Sequence, residues 1–162
     1  MPKLTLRPIT ESDLPFLLEV YMAARADELV HVSWSETEKQ KFLTSQFQAQ
    51  HYHYQKYYAA ASFSIIEQNS QPIGRFYVDR WPNEIRIVDI ALLPHFRNQG
   101  IGSHLLRQVL AEGEAANKTV SIHVEQYNPA YHLYGRLGFQ KIGETGVYDL
   151  LAWRSVEQTP VQ

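Results

Sequence analysis

Residues 84–110 constrain this chain more than any other stretch. Glu84 to Leu93 is rich in β-branched residues and reads as a central strand, which Leu93-Pro94 ends abruptly. Arg97-Asn-Gln-Gly100-Ile-Gly102 follows. Ile101, Leu105, Val109 and Leu110 then recur on one face of a helix. Strand, glycine turn and helix, in that order, build an anion site. The glycines let backbone approach a ligand with no Cβ in the way. The N–H groups of the first helical turn and the positive end of the helix dipole point at the same spot. Arg97 adds a charge suited to phosphate. A bare G-x-G arises about once by chance in a chain this long, so the context carries the signal. Two nucleotide motifs are excluded. The dinucleotide fingerprint needs a third glycine where His104 and Leu105 stand, and the Gly-Lys-Ser/Thr end of an NTPase loop is absent.

The rest of the chain supplies strands and helices around that unit. Lys3 to Arg7 alternates like a half-buried strand. Thr10-Glu-Ser-Asp13 and Ser35-Glu-Thr-Glu38 read as helix starts, each with an acidic residue three after a capping hydroxyl. Leu14, Leu17, Leu18 and Tyr21 follow the first start. Leu43, Phe47 and Tyr54 follow the second, on a helix ending near Tyr58. Ser62–Ile66, Ile73–Arg80 and Glu84–Leu93 read as an antiparallel meander with tight turns. Thr119–Val124, Phe139–Ile142 and Val147–Trp153 complete the strands. The order is β, α, α, β, β, β, α, β, α, β, β. It predicts one α/β domain, residues 1–156, with a mixed, mostly antiparallel sheet of about seven strands flanked by helices. Residues 157–162 read as a tail.

Composition closes off several functions. The chain has no cysteine, which excludes disulfides, thiolate metal sites and a cysteine nucleophile. Fifteen Lys+Arg against 17 Asp+Glu leaves no basic excess for a nucleic acid backbone. No stretch approaches the ~18 apolar residues of a membrane span, and Met-Pro-Lys-Leu-Thr-Leu-Arg lacks the apolar run of a signal peptide. The expectation is a cytoplasmic protein. His51 and His53 invite a metal reading, but residues two apart on a helix point ~200° apart. The seven histidines contain no H-x-x-x-H pair on a helix, so no metal is expected.

A second constellation lies at Asn128-Pro-Ala-Tyr-His-Leu-Tyr134-Gly-Arg-Leu-Gly138-Phe139. Asn128 reads as a helix cap, Pro129 as the first helical residue and Gly138 as a left-handed helix end. Tyr134 follows about two turns after Asn128, so that the two can line one cleft mouth and both are candidate cofactor-binding residues. Together with the glycine loop, this segment resembles the GCN5-related N-acetyltransferase family. Arg97, Gly100 and Gly102 fit that family's R/Q-x-x-G-x-G/A loop. Asn128, Ala130, Tyr134, Gly138 and Phe139 fit its N-x-x-A-x-x-Y-x-x-x-G-F-like segment. The element order resembles that fold across nearly the whole chain.

The resemblance implies acetyl-CoA as the donor and a primary amine, on a small molecule or a protein, as the acceptor. A homodimer is compatible with it. The diphosphate would rest on backbone N–H groups of Asn98, Gln99, Gly100, Ile101, Gly102 and Ser103. The pantetheine arm would pair like an extra strand with Ala91, Leu92 and Leu93, where the fourth and fifth strands splay, and an N–H near Leu92 would serve the oxyanion. Tyr134 would protonate the leaving thiolate. A phenol of pKa ≈ 10 faces a thiol near 8.5, so that transfer is only slightly uphill.

The base has two candidates. Asp89 lies in the central strand between Val88 and Ile90, where a buried carboxylate must be partnered or functional. His123 lies between Ile122 and Val124, and an imidazole suits a base at neutral pH. Relatives often place a carboxylate on one of these two strands, or use water. His123 would depart from that pattern. A hydrogen-bonded structural role fits either residue equally well. In the resembling family the connection between the first two helices borders the acceptor. There Glu28 would hold a cationic amine and Trp34 would stack on it. Two rival readings are a catalytically inactive module that binds and senses acyl-CoA, and an unrelated α/β protein whose loop holds simple phosphate.

Overall fold

The computed structural model describes residues 3–155. The tail expected over 157–162 lies outside the described residues. The strands are β1 (Leu4–Pro8), β2 (Ser62–Gln68), β3 (Gln71–Arg80), β4 (Glu84–Leu92), β5 (Thr119–Glu125), β6 (Gln140–Thr145) and β7 (Tyr148–Trp153). The helices are α1 (Leu14–Arg25), α2 (Glu36–Tyr57), α3 (Ile101–Ala116) and α4 (Tyr131–Arg136). The strands hydrogen-bond in the order β1-β2-β3-β4-β5-β7-β6. β4 and β5 run parallel, whereas β1–β2, β5–β7 and β6–β7 are antiparallel. The seven-stranded, mostly antiparallel sheet with helices is the class the sequence predicts. Among the described residues, no helix is long and apolar enough to cross a membrane.

The described residues form two compact sets. One holds the chain up to Tyr77 together with Asp89–Arg97. Its core is Leu17 and Val20 of α1, Leu43 and Phe47 of α2, and Ile65, Ile66 and Ile73 of the sheet, all buried. Asn69 and Ser70 both take positive φ, 51° and 69°. A two-residue loop of that form matches strand twist and closes β2 onto β3 as a hairpin. The helix starts are closed by their own side chains. Ser35 Oγ accepts the Glu38 N–H at 3.1 Å, as its capping pattern predicts. Asp13 accepts the Thr10 N–H at 2.8 Å and pairs with Arg7, also at 2.8 Å.

The second set holds Val78–Val88 and the residues from Asn98 on. Its core is Ile85 and Ile87 of β4, Leu105, Leu106 and Val109 of α3, Val120, Ile122 and Val124 of β5, and Leu151 of β7. The β4–β5 ladder covers only Glu84–Ile87 against Thr119–Ile122, while β5 continues to pair with β7 as far as Glu125.

Several boundaries differ from expectation by a residue or more, and two elements show why. The sixth strand begins at Gln140 rather than Phe139, because Phe139 closes the preceding helix, and it runs on to Thr145 through a register shift between Lys141 and Gly143. α4 begins at Tyr131, because the turn from Asn128 opens with a tighter bond, Tyr131 N–H to Asn128 O at 3.0 Å.

Candidate active site

The glycine loop is an open helix start. Asn98 and Gly100 are left-handed, with φ of 60° and 81°. Gly100 caps α3 with no side chain, and the first turn carries no acidic residue. The first helical bond runs from His104 N–H to Gly100 O, 3.0 Å. The N–H groups of Ile101, Gly102 and Ser103 precede it, so the helix itself offers them no carbonyl. A Cβ on Gly102 would meet nothing within 4 Å, and its φ is not positive. Neither packing nor backbone conformation demands glycine there, although glycine inside a helix costs about 1 kcal/mol against alanine. The space above Gly102 fits a group from outside the chain that approaches the backbone closely, as a phosphate does.

Tyr134 is fixed by the way its short helix ends. Phe139 N–H reaches Tyr134 O at 3.0 Å, and Gly138 N–H reaches Gly135 O at 3.1 Å. These are the paired bonds of a Schellman closure, with Gly138 at φ 100° supplying the left-handed residue. The apolar contact that accompanies such a closure is here the Tyr134 ring against Phe139, edge-on at 5.7 Å. Both are buried. The tyrosine and the glycine–phenylalanine pair of the sequence segment are therefore one structural device. At the other end, Asn128 Oδ1 accepts the Ala130 N–H at 2.8 Å, and its amide donates to Glu125 at 3.1 Å. Tyr131 donates its hydroxyl to the buried Asp149, which ties the first turn to β7.

The end of β4 is held close to β3. A Cβ on Gly74 would sit 2.3 Å from Ala91 O, so only glycine allows this approach. Leu93 N–H bonds Ile73 O at 2.8 Å. Strand alternation then turns the Leu92 N–H and C=O the other way. Arg97 is exposed and donates Nε to Leu92 O at 3.0 Å, so its side chain folds back on the strand end.

Asp89 sits in a network that sequence reasoning missed. Arg75, 4% exposed, donates Nη2 to Asp89 Oδ2 at 2.7 Å and to Gln50 Oε1 at 2.9 Å. The Tyr54 hydroxyl donates to the same Asp89 oxygen at 3.2 Å. Among the described residues, the hydrogen bonds Asp89 receives fall on Oδ2. Among the described residues, the buried Arg75 Nε and the neighbouring Tyr77 hydroxyl have no hydrogen-bond partner. Burial pushes the Tyr77 hydroxyl up to about 12, against the pull of Arg75. One signal was available: Arg75 is a charge inside the apolar run Ile73–Val78, and such a charge demands a carboxylate nearby.

His123 is exposed on β5 within a different cluster. Arg86 Nη1 lies 3.2 Å from its Nδ1. Arg86 also donates Nε to Ser121 Oγ at 2.8 Å and Nη2 to Glu84 at 3.1 Å. Burial, then the Arg86 charge, lowers the imidazole below its ordinary value, and Glu84 opposes them.

Glu28 and Trp34 take separate partners rather than each other. Glu28 accepts from Arg25 at 2.6 Å, and Arg25 in turn bonds the Tyr21 hydroxyl. Trp34 is exposed and packs edge-on against Phe42 at 5.3 Å. His51 and His53 diverge as their spacing predicts, His51 stacking on Phe47 and His53 lying against Tyr57.

The model of the acetyltransferase (GNAT) family matches residues 25–139. Among solved structures, the chain is similar to the PaiA N-acetyltransferase of Thermoplasma acidophilum in complex with coenzyme A. Identity is 16%, the match covers 94% of this chain and 99% of that one, and the TM-score is 0.71. A GNAT family acetyltransferase of Elizabethkingia anophelis with acetyl-CoA bound is 20% identical, with 94% and 98% covered and a TM-score of 0.57. The ribosomal-protein-S18-alanine N-acetyltransferase of Escherichia coli is 22% identical, with 94% of each chain covered and a TM-score of 0.59.

Proposed function

The chain belongs to the acetyltransferase (GNAT) family, and from that premise we propose that it moves an acetyl group from acetyl-CoA to an amine by direct attack, with Tyr134 as the general acid. The observation that carries the reading is Gly102, a helical glycine that no contact among the described residues requires, at a helix start with no acidic residue in its first turn. The N–H groups from Asn98 to Ser103 hold the diphosphate. The similar chains with coenzyme A or acetyl-CoA bound support that assignment.

Acetyl-CoA supplies the thioester and, on cleavage, the thiolate. The backbone of Ala91–Leu93 aligns the pantetheine arm, and the Leu92 N–H, turned away from β3, donates to the oxyanion. The Tyr134 hydroxyl gives its proton to the departing sulfur. Asp89 takes the proton of the amine through Oδ1, while Arg75 and Tyr54 keep Oδ2 occupied.

Two measurements test this. A thermal shift with coenzyme A, and none with inorganic phosphate or ATP, is expected; no shift with coenzyme A sinks the reading. An amine panel that detects free thiol, run with Tyr134→Phe, is expected to lose on the order of 100-fold or more in kcat while the variant still folds and binds coenzyme A. An undiminished kcat in that variant removes Tyr134 as the acid.

A further inference from the structure

We propose that His123 acts as a hydrogen-bond donor through Nε2, toward an oxygen on the acceptor substrate, with Arg86 as the positioning residue that fixes this tautomer. The proposal rests on the transferase reading above. A guanidinium has only donors and stays charged. With Arg86 Nη1 at 3.2 Å, Nδ1 must present its lone pair, so a neutral ring carries its single proton on Nε2. A base would need a lone pair facing outward, but the lone pair of this ring faces Arg86.

Arg86 is not free to swing away. Its side chain is 11% exposed, its Cζ lies 4.9 Å from the Trp81 ring, and Ser121 and Glu84 hold its other nitrogens. Ser121 is 1% exposed and gives its own hydroxyl proton to Glu84, so the direction of each bond is set. The charged groups facing the imidazole are Arg86 and Glu84 of β4; burial, then the Arg86 charge, lowers its pKa, and Glu84 opposes them.

The position matters as much as the tautomer. Ile87 opposite Ile122 is the last rung of the β4–β5 ladder. His123 is the first β5 residue past that rung, and it is exposed between buried Ile122 and Val124. A neutral donor there recognises an acceptor that carries a carbonyl, carboxylate or hydroxyl oxygen beside its amine.

Nitrogen-15 spectra of histidine-labelled protein, assigned with His123→Gln, read the tautomer without any turnover. The Nε2–H form is expected to dominate in the wild type. Arg86→Met is expected to raise the Nδ1–H share and the pKa, and Arg86→Lys, which keeps a donor, to restore much of the wild-type spectrum. In kinetics, His123→Leu is expected to raise the acceptor KM about tenfold at nearly constant kcat. His123→Gln, whose amide N–H stands in for Nε2–H, recovers about threefold of that loss. A dominant Nδ1–H form in the wild type overturns the proposal. So does loss of the acid limb of kcat/KM in His123→Gln, which would mark a base. A wild-type enzyme that releases no thiol from any amine fails the transferase reading instead, and the spectra still report the tautomer.

Discussion

The starts of α2 and α3 are the same structure finished in opposite ways. Both leave N–H groups without helical partners and both carry the positive end of a dipole. At α2, Ser35 accepts the Glu38 N–H, and Glu36 and Glu38 place negative charge in the first turn. At α3, the cap is Gly100, the first turn has no acid, and Gly102 stands over open space. One end is neutralised by its own sequence. The other is left open, at a cost in helix propensity, as the proposed diphosphate site requires. What distinguishes a binding site from a scaffold here is the absence of side chains that would otherwise satisfy it.

The largest effect should come from making α3 resemble α2. Gly102→Glu puts a carboxylate where the proposed site would hold the diphosphate. Calorimetry should find coenzyme A binding weakened on the order of 100-fold, about 2.7 kcal/mol. Stability should not fall, because an acid in the first turn favours the helix. Gly102→Ala is the milder version, with affinity down about tenfold and stability up by ~0.5–1 kcal/mol. Undiminished affinity in both variants would erase the contrast between the two ends.

Ser35→Ala tests the other end. It should cost about 1 kcal/mol, or ~2–4 °C in Tm, and leave coenzyme A affinity unchanged. A change in affinity would mean that the closed end also serves the ligand.

The smallest effect is confined to acid. The Arg7 guanidinium beside Asp13 holds its carboxyl down to about 2, from an ordinary value of 3.8. The folded state binds this proton less readily than the unfolded chain. The contribution to stability is therefore complete above about pH 4 and is lost as pH falls through about 2. Asp13→Asn should flatten the pH dependence of Tm in that window and nowhere else. An unaltered acid slope would show that the Asp13 contact contributes nothing to it.

Much of this was legible in the chain because the signals were local. The capping pattern at Ser35–Glu38, the apolar stripe of α3 and the left-handed Gly138 each act within a few residues, and each lies where it was expected. The partner of Asp89 was not legible. Arg75 lies 14 residues away on the neighbouring strand, and Gln50 and Tyr54 come from a helix further back. Alternation gives a strand its faces but not its register against another. The tautomer of His123 was hidden for the same reason, since it depends on which guanidinium hydrogen from β4 meets the ring.

Gly74 sets a rule for anyone who would redesign the donor specificity of this chain. Ala91 O lies so close that the smallest side chain at position 74 would push the strand end outward. A library meant to admit bulkier acyl groups can therefore vary the side chains of Leu92 and Leu93. Codon 74 should stay untouched, because changing it would move the ruler against which every other change is measured.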